Sequence, residues 1–334
     1  MKRIDLIPNL KRVTVLSALF AFTLTGCDIL NNDEPEVAAM TAEDLELASE
    51  LMAESLADQS EGLMADLNDM TARVDNQRLL YSGRQFWNNP GLRPCRGINR
   101  DYDRTYDPAT GTFTIAYSRQ HEAENCTKSV DVTLQYVFTD SLGGFVAEPI
   151  DQREEIAAIA FAGNRTGTAA YTYDSGDTRS ATIDQDAQWN LAGLNGTDTV
   201  ATLTGSQIKE GTFSRTMGDS LDVEGSYTLT METVDVTISQ MALADDTTGG
   251  DEDLETNVTG TISYHMSLTE TINGETTLKE TEGTIDLTGD GHALLRFLGL
   301  NPIYRVNLRD GQRERQNGED RGGNKNDDSG RNAG

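Results

Sequence analysis

The amino-acid sequence predicts a mainly β protein, an antiparallel meander forming a curled sheet or partly closed barrel, with an N-terminal amphipathic helix. Three observations point there. Thr-rich segments alternate apolar and polar residues along much of the chain beyond residue 98. The pair Asn273-Gly274, which favours a two-residue type I′ turn, lies between two long alternating runs. Apolar residues at helical spacing concentrate in residues 41–80. Strands do not alternate with long helices, so a parallel sheet is not expected.

The helical segment comes first. Thr41 is suited to cap a helix, with Glu43 and Asp44 near the positive end of its dipole. Leu45, Ala48, Met52, Leu56, Leu63, Leu67, Met70 and Val74 fall on one stripe at about 100° per residue. That is one amphipathic helix, or two with a break near Ser60-Glu61-Gly62. Packing against the protein's own sheet is its expected use; a partner helix or self-association would use the same stripe.

The strands follow. Val130, Val132, Leu134, Tyr136 and Phe138 share one face, and Ile183, Gln185, Ala187, Trp189 and Leu191 repeat the scheme. Tyr227, Leu229 and Met231 do the same. Val234, Val236 and Ile238 continue with the opposite parity, which predicts a bulge or tight turn near Glu232-Thr233. A hairpin about Asn273-Gly274 sets Ile262 opposite Ile285, Tyr264 opposite Gly283 and Leu268 opposite Lys279, with the Tyr264 ring covering bare backbone. Asp107–Gly111 reads as a second turn, pairing Tyr106 with Phe113 and Tyr102 with Tyr117. Glycine recurs at Gly111, Gly167, Gly196, Gly211, Gly225, Gly260 and Gly283, as kinks in a bent sheet require. The expected divisions are a signal peptide (1–26), a tether (27–40), the helical segment (41–80), the antiparallel β domain (81–308, with an acidic loop at 242–257) and a disordered polar tail (309–334).

Charge narrows the partners. The chain carries 27 Lys and Arg against 55 Asp and Glu, a net −28, which argues against nucleic acid. Lysine occurs only at positions 2, 11, 128, 209, 279 and 325, and a carboxylate-rich, lysine-poor surface stays hydrated in concentrated salt.

The first residues carry an address. Lys2, Arg3, Lys11 and Arg12 precede the apolar stretch Val13–Leu24, which is short of the roughly 20 residues needed to span a bilayer. The stretch ends in Leu24-Thr25-Gly26-Cys27, and this segment resembles the lipobox of bacterial lipoproteins. The resemblance covers residues 1–27 and implies cleavage before Cys27, a diacylglyceryl thioether on its thiol and further acylation, with chains such as palmitate, at the new amino terminus. Two or more acyl chains hold a protein stably on a membrane where one does not. The expected location is therefore the bacterial cell envelope, lipid-anchored, on the periplasmic face or the cell surface.

Export also places Cys95 and Cys126 in an oxidising compartment. Extending the Asp107–Gly111 hairpin outward brings residue 95 near residue 124, so a Cys95–Cys126 disulfide is expected. It would contribute roughly 3–4 kcal/mol by restricting the unfolded chain.

No pattern of catalytic chemistry emerges. G-x-S-x-G, Walker and H-E-x-x-H motifs are absent from the sequence. His121, His265 and His292 lack ligand spacing, and Gly289-Asp290-Gly291 reads as a turn. The groups Asp101/Asp103/Asp107, Asp184/Asp186 and Asp251/Glu252/Asp253 read as solvated carboxylates rather than calcium ligands. No catalytic residue, metal site or cofactor is assigned. The expected function is non-enzymatic: a lipid-anchored protein that holds a lipid or other apolar ligand between its curved sheet and its helix. The alternative is a structural or adhesive surface lipoprotein that contacts another envelope component. A hydrolase working through a carboxylate pair has least support. The membrane, reached through the acyl chains on Cys27, and an apolar ligand or envelope protein are the expected partners.

Overall fold

The computed structural model describes residues 37–72 and 99–316, apart from 124, 150, 173–175, 196–198, 218–220 and 240–253. The signal segment with Cys27, Cys95, most of the acidic loop and the end of the tail lie outside the described residues.

The helical segment is two helices, α1 (Ala42–Leu56) and α2 (Leu63–Ala72), joined through a 3₁₀ turn at Asp58–Ser60. Thr41 and Asp44 form a reciprocal capping box: the Asp44 amide donates to Thr41 Oγ1 (3.2 Å) and the Thr41 amide to Asp44 Oδ2 (2.6 Å). The break has two causes. Glu61 takes a left-handed conformation, and Gly62 sits so close to α1 that a Cβ there would lie 2.5 Å from the Ser55 carbonyl oxygen.

The rest is strand: β1 (Val37–Ala38), β2 (Asn99–Asp107), β3 (Thr112–Ala123), β4 (Cys126–Thr139), β5 (Ala158–Thr172), β6 (Thr178–Ala192), β7 (Val200–Met217), β8 (Leu221–Thr233), β9 (Val236–Ser239), β10 (Val258–Ile272), β11 (Glu275–Thr288), β12 (His292–Phe297), β13 (Ile303–Asn307) and β14 (Arg313–Gln316). They make one 14-stranded sheet in which successive strands lie side by side from β2 to β14, an antiparallel meander. β9 extends the path of β8 between β7 and β10, and β1 alone pairs in parallel, with β11. No pairing joins β2 to β14, so the described strands do not close into a hydrogen-bonded barrel.

Both expected hairpins have the expected register. Ile262 faces Ile285, Tyr264 faces Gly283 and Leu268 faces Lys279; Tyr106 faces Phe113 and Tyr102 faces Tyr117. The Tyr264 hydroxyl crosses Gly283 to donate to the Arg296 carbonyl at 3.0 Å, and a Cβ on Gly283 would strike that same oxygen. The parity slip is a bulge two residues later than expected. Ser206 of β7 faces Glu232 and Leu203 faces Val236, so three steps along β7 oppose four along β8–β9. Val234 sits in the bulge, exposed, and does not join Val236 and Ile238 in the core.

Two boundaries are corrected. The tether was expected to run through residue 40, but Val37–Ala38 already pairs with Leu278–Lys279. The polar tail was expected from 309, yet Arg313–Gln316 adds a strand beside β13, and the Arg313 guanidinium finds acceptors on α1.

Contacts along α1 show how strongly the sheet curls. Glu50 meets Arg313 on β14 and Glu54 meets Lys209 on β7. Those glutamates are one turn apart, about 6 Å along the axis. Their partners are six strands apart, roughly 29 Å in a flat sheet. The sheet therefore wraps around the helix pair. Its inner face and the helices bury one core, including Met52, Leu56, Leu63, Leu67, Leu134, Trp189, Leu229, Met266 and Leu295.

Candidate functional site

The helix pair is acidic throughout. Glu43, Asp44, Glu46, Glu50, Glu54, Asp58, Glu61, Asp66 and Asp69 lie between residues 42 and 72, with no Lys, Arg or His among them. The inner face of the sheet is the complement. Lys128, Lys209 and Lys279, every lysine among the described residues, point inward and are buried, as is Arg165. Strand register puts them there. Arg165 on β5 faces Gln185 on β6, which faces Lys209 on β7, so the three form one row across the inner face. Along β7 the same parity turns Ile208 outward and Lys209 inward, the reverse of their hydrophobicity.

At the centre of α2, Asp66 is wholly buried. Its Oδ1 is in very short contact with Arg165 Nη2, and its Oδ2 accepts from Trp189 Nε1 at 2.9 Å. Glu61 Oε2 lies 3.4 Å from Arg165 Nε. Burial works against the charge on Arg165, but the Asp66 and Glu61 carboxylates hold its guanidinium well above its usual pKa. The start of α1 is tied through Lys279, whose ammonium donates to Asp44 Oδ1 and Glu270 Oε2, both at 2.6 Å. Burial opposes both charges there too, yet the bond between them lowers the Asp44 pKa and raises that of Lys279. The outer side of α1 is clasped by β13 and β14. Tyr304 donates to Glu46 Oε1 at 2.9 Å, and Arg313 donates to the Glu46 carbonyl, Ser49 and Glu50.

The middle of this interface is looser. Lys209 Nζ stands 4.0 Å from Glu54 Oε2, and burial lowers the lysine's pKa against the pull of Glu54. Beside it, both amide atoms of the buried Gln207 have no hydrogen-bond partner among the described residues.

A second feature lies on the opposite, outer face. A depression of about 440 Å³ runs across β3 to β7, lined chiefly by Thr112, Gln135, Ala162, Gln188, Asn190 and Ser206. Its end at β7 is shaped by the bulge: Gly205 has φ 140° and donates its amide to Thr233 Oγ1 at 2.9 Å. Phe161 and Trp189 back the depression from the core side.

No known protein family, curated protein or solved structure matches this chain.

The residues singled out in the sequence are not brought together into either feature. Cys27 and Cys95 lie outside the described residues; Cys126 is buried at the start of β4. Asp107 accepts from the Ala109 amide and the Thr110 hydroxyl of its own turn, and Asp186 accepts from Asn164 on the exposed face. His265 is exposed, and His292 Nδ1 lies 3.0 Å from the Asp290 carbonyl in the Gly289–Gly291 turn. Among the described residues no three His, Cys, Asp or Glu side chains converge on a metal-sized site, and no helix is long and apolar enough to cross a membrane. Asp66, Arg165 and Lys209 carried no sequence signal as a group, because they are 99 or more residues apart from helix to sheet and meet only through register.

Proposed function

We propose that this is an exported, lipid-anchored envelope protein that acts by binding, and that it binds on the outer face of its sheet as a surface or structural component. The observation that carries the reading is the occupancy of the inner face. A carrier would hold an apolar ligand between sheet and helix, but α1 and α2 bury their own side chains there, and Asp66–Arg165 and Asp44–Lys279 tie them down. Releasing that segment would strand buried charges at a cost of several kcal/mol. The lipobox-like segment supports anchoring through Cys27, and oxidising export supports a Cys95–Cys126 disulfide.

A titration with an apolar fluorophore tests the interior. The folded protein should give no saturable one-to-one uptake; uptake in that ratio with full helical content retained would restore the carrier. Intact mass of the membrane-extracted protein tests the anchor, which predicts a chain starting at acylated Cys27. Alkylation without reduction should find neither Cys95 nor Cys126 modified.

A further inference from the structure

We propose that the outer depression across β3 to β7 is a binding site for a neutral oligosaccharide. The inference rests on the outer-face reading above and gives its ligand a chemical class. Register builds the site as two neighbouring rows of outward side chains. One row is Thr112, Val137, Ala160, Asn190 and Thr204; the other includes Gln135, Ala162, Gln188 and Ser206. Ala160 and Ala162 form a low floor on β5. The longer amides of Gln135 on β4 and of Gln188 and Asn190 on β6 rise on either side, and hydroxyls close the two ends. Gln135, Gln188 and Asn190 are exposed and their side-chain amides are not engaged by any described residue.

The chemistry of the lining selects the ligand. A chain of net −28 is rich in carboxylates, yet none of the residues lining this depression is charged. A metal ion or a phosphate would find no opposite charge there. A lipid chain would find amides and hydroxyls rather than a dry wall. Each amide offers both a donor and an acceptor, and each hydroxyl does the same, which matches a ligand made of hydroxyl groups. The Ala floor and Val137 supply apolar contact for the C–H faces of sugar rings. From β3 to β7 the site spans roughly 19 Å, longer than a single sugar ring needs.

The site is also braced. Trp189 backs it, and the Trp189 indole is fixed by Asp66 of α2. The buried clamp thus holds the strand that carries Gln188 and Asn190.

The test is binding of the full mature protein to a panel of neutral gluco-, manno-, galacto- and N-acetylglucosamine oligosaccharides of one to six units, with uronic-acid oligomers as the charged comparison. Saturable binding to a neutral oligomer is expected, stronger than to its monosaccharide and little changed between 0.1 and 1 M NaCl, because no ion pair forms. Gln188→Ala and Ala162→Leu should each weaken it by about tenfold or more while the melting temperature holds. No neutral oligomer bound, preference for the uronates, or affinity indifferent to both substitutions would overturn the inference. A delipidated envelope fraction separates this failure from failure of the outer-face reading. If the panel is empty but Ala162→Leu abolishes retention on that fraction, the sugar assignment falls and the outer-face reading stands. If the variant is retained like the native protein, both fall.

Discussion

Lys209 sits in an environment that suits its charge poorly. It is buried, its nearest carboxylate is 4.0 Å away, and its pKa is lowered, so its charge opposes folding at neutral pH. Replacing it with an apolar side chain of similar length removes that opposition. Lys209→Met should raise the melting temperature by a few degrees, equivalent to about 1 kcal/mol. Burial also opposes the charge of Asp66 and raises its pKa, but unlike Lys209 it is bonded through both of its oxygens. Asp66→Ala would leave the Arg165 guanidinium buried with Glu61 as its remaining carboxylate among the described residues and deprive the Trp189 N–H of its acceptor. A loss of about 3–5 kcal/mol in chemical denaturation is expected. If both variants have the same sign, the distinction drawn between a satisfied and an unsatisfied buried charge is wrong.

At the scale of elements, the turn between α1 and α2 depends on Gly62. A Cβ there would meet backbone atoms of Ser55 and Leu56, which cannot swing aside as a flexible side chain would. Gly62→Ala should therefore separate the helices and cost about 2 kcal/mol or more, read as a lower denaturant midpoint with reduced near-ultraviolet dichroism. The start of α1 gives a pH dependence. The folded pKa of Asp44 is lowered, so its contribution is present above the ordinary 3.8 and is lost as pH falls through the lower folded value. The folded pKa of Lys279 is raised, so its contribution is full below 10.5 and is lost as pH rises through the higher folded value. Stability should fall at both limits, and Asp44→Asn should flatten the acid limb in a series of melting curves; an unchanged limb would remove Asp44 from the clamp.

For the whole molecule, the distribution of charge matters more than its total. The described lysines are all inside, but with Arg165 they are matched by the buried Asp44, Glu61, Asp66 and Glu255, so burial neutralises nothing of the net −28 and the surface carries it. Screening that repulsion favours the compact state. Melting temperature should climb between 0.05 and 1 M NaCl, and a flat or falling profile would show that surface repulsion is negligible. The Asp66–Arg165 and Asp44–Lys279 ties should respond less, since those ion pairs are buried and weakly screened.

Most strands, their parity and the register of two hairpins were legible in the order of the amino acids, because period-2 alternation and an Asn-Gly turn are local properties of the chain. Tyr264 over Gly283 and the break near Gly62 were legible for that reason. The bulge was misplaced by two residues, since an extra residue at 233 or at 235 leaves almost the same alternation; the strand at Arg313–Gln316 was missed because its four polar residues carry no apolar pattern. Which way the sheet curls, that the acidic helices fill it, and that Lys209 points in while Ile208 points out were settled by packing in three dimensions. Those outcomes depend on pairings between residues far apart in the chain, and charge complementarity across such distances leaves no periodic trace in the order of the amino acids.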